Sequence, residues 1–184
     1  LPPKVLLIMG PTILFLIYAT QSSKLMSRVK DVSLVSLTYI QSFRILMEVL
    51  LWAMAKESII PELLTWNGRN LDIIIAVTAP LIAYYCFTKN RWGLSLAVTW
   101  NALGILVLIN VYVHGLLSAP VPFQVFFTEP ASIFVASFPY IWLPAFVLPF
   151  AILLHIISIR QRRNIRNLII IWVQVLYFMR RSQV

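Results

Sequence analysis

Charge is scarce in this chain. Of 184 residues only 11% are Asp, Glu, Lys or Arg, and only six are acidic. Soluble domains carry about 25% charged and roughly 45–50% apolar residues. Here the apolar share is 60% and the mean hydropathy is +0.87. A globule of 21.1 kDa cannot hide that much apolar surface. The shortage of charge therefore excludes an ordinary water-soluble domain and makes lipid the solvent. Cysteine is nearly missing as well. Cys86 alone excludes an internal disulfide framework and a Cys-rich metal site. No HExxH, GxSxG, P-loop or GxGxxG motif occurs, which places an enzyme last among the function classes and implies no cofactor. No polar segment interleaves basic and aromatic residues, which sets nucleic acid aside despite a formal net charge of +9. Small-x-small cleavage chemistry is absent after residues 5–19, so that stretch reads as a retained span, although the chain opens on Leu1. Internal repeats and low-complexity tracts are absent too.

What is present is a set of long apolar runs. A spanning helix needs about 20 residues. Candidates lie at 5–19, 35–55, 71–88, 94–117 and 139–159, without the alternation of a β-barrel. The expected fold is all-α, with a five-helix transmembrane domain over 1–159 and a basic tail over 160–184. Lys24, Arg28, Lys30, Lys89, Arg91, Arg160, Arg162, Arg163 and Arg166 fall on one side, against Lys4, Lys56 and Arg69 on the other. Basic loops mark the cytoplasmic side, so the N-terminus is expected outside and the C-terminus in the cytoplasm. Within the tail, 168–179 is apolar but, at roughly 18 Å, short of the hydrocarbon core of about 30 Å. It reads as an interfacial or docking helix rather than a short sixth span, and a protein partner or a second copy is expected to cover it.

Two outer loops carry turn chemistry. Asn67-Gly68 forms a turn, Asn70 an N-cap, and Asp72 the acidic first turn of the third span. Asn67, Arg69, Asp72 and Glu129 are the outer-loop candidates, with turn and cap as the plainer reading. The segment after Pro130, residues 131–138, is too short to span and reads as a surface helix, either a lid over a cavity or an interfacial connector. Pro139, Pro144 and Pro149 punctuate the fifth span. Pro139 suits a first helical turn. The other two free carbonyls of Tyr140 and Ala145, giving either a kink or a polar site.

The second span carries Arg44 near its middle and Glu48 four residues on. A charge at that depth is priced at roughly 2.5–3.5 kcal/mol. Gln41 and Thr38 share their face, so the stripe must turn inward, where Arg44 and Glu48 can pair. The fourth span adds Asn110, His114 and Ser118 along one stripe. Gln41, Arg44, Glu48, Asn110 and His114 thus form the candidate intramembrane site. It is either a structural ion pair fixing helix register or the lining of a small-solute channel or carrier. His155 and Asn101 read as polar glue between helices. By depth His114 and His155 do not share a level, so no metal or haem site is expected.

The motifs Asn67-Gly68-Arg69-Asn70-Leu71-Asp72, Leu117-Ser118-Ala119-Pro120-Val121-Pro122-Phe123 and Phe138-Pro139-Tyr140-Ile141-Trp142-Leu143-Pro144 resemble a family of small polytopic bacterial membrane proteins without an established activity. The resemblance covers roughly 44–161. It implies a bacterial inner membrane and no particular reaction. The expectation is a non-enzymatic subunit or partner of a membrane assembly, with a channel or carrier as the alternative.

Overall fold

The computed structural model describes residues 2–161, with side chains from Gly10 onward. The expected helix at 168–179 lies outside the described residues. Those described are helical, with no strand among them. In chain order the elements are α1 (Pro2–Gln21), α2 (Ser23–Val29), α3 (Leu34–Lys56), α4 (Asp72–Thr88), α5 (Gly93–Leu117) and α6 (Leu143–Gln161). By length and composition α3, α5 and α6 can cross a membrane, and α4 is a shorter apolar helix.

Local chemistry sets the helix starts. Ser22 and Ser33 place their hydroxyls on the amides of Leu25 and Ser36, capping α2 and α3. Inside α3 the backbone tightens to a 3-10 turn at Ile40–Phe43, one turn before Arg44. In α4, Pro80 cannot donate to the preceding turn, and the helix finishes as a π-segment from Ala83 to Thr88. α6 opens the same way: Leu143–Val147 is a π-segment in which the Leu148 amide reaches back to the Leu143 carbonyl. Pro144, not Pro139, takes the first helical turn, and the Tyr140 carbonyl accepts from the Leu143 amide at 3.0 Å.

The long elements run alternately between two ends. At one end Met26, Leu37, Leu154 and Ile157 join α2, the start of α3 and the end of α6. At the other, Leu51 and Met54 of α3 pack with Ile60, Leu64 and Phe134 from the two long connections. Between them Ile75, Ala79, Ile82 and Cys86 of α4 meet Ala97 and Trp100 of α5. α1 packs against the opening turn of α6. Residues 131–138, expected as a surface helix, contain only a 3-10 turn, Phe134–Ala136. Pro130 and Pro139 bracket the segment, and the residue before Pro139, Phe138, is disfavoured in a helical conformation.

Candidate functional site

The charged residue at the middle of α3 organises the interior. Arg44 is 1% exposed, Glu48 3% and Asp72 5%. The Arg44 guanidinium grips the Asp72 carboxylate at both oxygens, Nε donating to Oδ2 at 2.8 Å and Nη2 to Oδ1. Nη1 donates to Gln41 Oε1 at 3.2 Å and to His155 Nε2 at 2.9 Å. Four of the five guanidinium N–H groups are thereby taken. Gln41 Nε2 in turn donates to the Ala151 carbonyl of α6 at 3.1 Å.

The proton positions follow from donor logic. A guanidinium only donates, so His155 Nε2 is the acceptor and the imidazole is neutral. Nδ1 then carries the hydrogen and donates to Asn101 Oδ1 at 2.8 Å. Asn101 Nδ2 donates to the Ala97 carbonyl at 2.7 Å. Gly104 makes room for this ring: a Cβ there would lie 2.4 Å from His155 Cε1 and Nε2. Trp100 stands edge-on to the same ring at 5.2 Å and donates to Thr78 Oγ1 at 2.9 Å.

Glu48 does not take Arg44 as its hydrogen-bonded partner, contrary to the four-residue spacing. Its two oxygens accept from Asn70 Nδ2, each at 2.9 Å, and the same amide nitrogen lies 3.1 Å from the Leu64 carbonyl. Asn70 Oδ1 accepts from the Asp72 amide at 2.9 Å, so one side chain starts α4 and serves Glu48. The Asn67-Gly68 turn holds Asn70 in place. A Cβ on Gly68 would sit 2.5 Å from the Glu62 carbonyl oxygen and 2.6 Å from Leu63 Cα.

Of the residues singled out from sequence, Gln41, Arg44, Glu48 and Asp72 come together. Asn110 and His114 do not join them. Asn110 Nδ2 donates to the Arg69 carbonyl at 2.8 Å, and His114 Nδ1 meets the Asn110 carbonyl at 2.8 Å. His114 stacks on Phe126 at 5.1 Å, and Arg69 lies 5.1 Å over the same ring. This second group ties the 118–138 connection to the end of α5. Asn67, Arg69 and Glu129 are exposed. Sequence reasoning missed His155, Asn101 and Asn70 as members of the cluster, and Asp72 as its anion. The signal for His155 lay in distance along the helices. Arg44 sits twelve residues inside the Lys56 end of α3 and His155 twelve inside the Leu143 end of α6, about 18 Å in each case.

Beside the cluster lies a cavity of about 110 Å³. α5 and α6 touch at Gly104 and His155, and the cavity fills the space between their other ends. Its walls are chiefly apolar, including Met47, Leu108, Phe134 and Val147; its polar lining is Arg44, Glu48, Asp72 and Tyr112. The Tyr112 hydroxyl is buried without a hydrogen-bond partner among the described residues. No group of three His, Cys, Asp or Glu side chains converges on a metal position among the described residues.

The sequence model of a family described as "Domain of unknown function (DUF8737)" matches residues 2–163. The match includes α1, which the motif resemblance left out. No curated protein and no solved structure matches the chain.

Proposed function

Because the chain belongs to the DUF8737 family, whose description assigns no activity, we propose from its own residues that it is a non-enzymatic, multi-pass membrane protein. In this reading it serves as a subunit or partner of a membrane assembly, and the Arg44 cluster is a clasp fixing the depth and rotation of four helices. The carrying observation is the saturation of Arg44. Its contacts reach Asp72 of α4 and His155 of α6, and through His155 they reach Asn101 of α5. A guanidinium with four N–H groups committed inside the protein has one left for a passing solute.

Five spans and a cytoplasmic C-terminus in a bacterial inner membrane belong to the same proposal. Their support is the alternating course of α1, α3, α4, α5 and α6, and the basic residues Lys24, Arg28, Lys30, Lys89, Arg91 and Arg160 that fall at one end. The apolar 168–179 stretch is the proposed meeting point with a protein partner or a second copy.

The test is a double-mutant cycle read by thermal and denaturant unfolding in detergent. Arg44→Leu strands the Asp72 carboxylate and is expected to remove about 3–5 kcal/mol; Asp72→Leu strands the guanidinium to similar effect. The double variant is expected to recover most of that loss. Additive losses would sink the clasp. A carrier or channel is the second reading, favoured by the cavity that reaches Arg44, Glu48 and Asp72. It gains ground if the double variant folds normally and abolishes solute flux in proteoliposomes.

A further inference from the structure

Counted in their ionised forms, the charged groups around the cavity do not balance. Arg44 and Asp72 neutralise each other. Among the described residues Glu48 has no cation at ion-pair distance, and Asn70 Nδ2 is the one donor to its two oxygens. That nitrogen has two hydrogens, and the Leu64 carbonyl competes for them. An ionised carboxylate has about four acceptor sites, and one buried beside an apolar wall carries a heavy desolvation penalty. Tyr112 lines the same cavity, and its buried hydroxyl has no hydrogen-bond partner among the described residues.

We propose that the cavity binds a small hydrophobic amine, its ammonium on Glu48 and its apolar body between α5 and α6. An ammonium brings one positive charge and three donors, which is what Glu48 lacks. A bare inorganic cation fits badly, because the apolar walls cannot replace its hydration shell. Size sets the body of the ligand. An apolar cavity of about 150 Å³ holds benzene, so about 110 Å³ suits a short alkyl chain rather than an aromatic ring. The inference stands apart from the clasp: absence of amine binding leaves the Arg44–Asp72 coupling untouched, and loss of that coupling leaves amine binding to be read independently.

The probes are 3-fluoropropylamine and its near-isostere 3-fluoropropan-1-ol, followed by ¹⁹F NMR titration of the full chain in neutral detergent. The amine is expected to bind at least roughly tenfold tighter, about 1.4 kcal/mol, because charge-assisted hydrogen bonds are the stronger kind. Glu48→Gln should erase the preference while leaving alcohol binding in place. Gly115→Leu supplies an independent arm, since a Cβ at Gly115 meets nothing within 4 Å and Gly115 lines the cavity. Leucine also favours the helix over glycine, and it should block both probes. Equal binding of amine and alcohol to the unaltered protein, no binding of either, or undiminished binding to Gly115→Leu would each overturn the proposal. Displacement of the amine by short-chain phosphatidylethanolamine but not phosphatidylcholine would overturn the assignment to a free amine.

Discussion

At the scale of single residues, the interior is governed by how many donors each acceptor receives. Arg44 is over-determined and Glu48 under-served, though they are one helical turn apart. Replacing Arg44 by lysine keeps the charge but removes the planar fork that holds both Asp72 oxygens. Arg44→Lys is therefore expected to fall between the native protein and Arg44→Leu in unfolding free energy. Gly104 is the steric counterpart of the clasp. Gly104→Ala places a methyl group on the His155 ring and should destabilise by about 1–3 kcal/mol, as overpacking does. Truncating the ring in Gly104→Ala/His155→Ala should recover part of that loss, and thermal unfolding of the four proteins in the cycle checks it. The face shared by Gln41, Arg44 and Glu48 was legible in the sequence, because helical spacing alone places them together. The partners were not. Asp72 lies 28 positions from Arg44 and His155 lies 111 away, and spacing within one helix says nothing about which neighbour supplies the anion.

At the scale of elements, α4 explains why Asp72, by sequence a first-turn carboxylate, becomes a counter-charge. Its 17 residues are short for a span. The connection before it packs inward: Ile60, Leu64, Thr65 and Asn70 are all buried. That inward fold carries the start of α4 to the level of Arg44, so a first-turn carboxylate becomes an interior one. Asn70 holds the arrangement, so Asn70→Ala should strip Glu48 of its donor and α4 of its Asx turn together. A loss of about 1–3 kcal/mol is expected. Hydrogen exchange should rise at the first turn of α4 before it rises in α5, and amide exchange mass spectrometry reads both. The runs that became α3, α5 and α6 were evident from hydropathy. The 131–138 segment was not: its apolar content imitates a helix, and its flanking prolines outweigh that content.

At the scale of the whole molecule, the alternating course of the helices makes a labelling prediction. In a Cys86→Ser background, single cysteines at Asn67 and Glu129 should react with an impermeant maleimide from the same side of oriented vesicles. A cysteine at Lys89 should react only from the other side. Labelling of all three from one side would remove the proposed topology. The contact of His155 with Gly104 has a mechanical consequence. It acts as a fulcrum: α5 and α6 are pinned near mid-length, and their far ends diverge around empty space. Opening of the cavity is therefore expected as a scissor motion of the two far ends about a closed pivot, which faster amide exchange near Gly115 than near Gly104 would check.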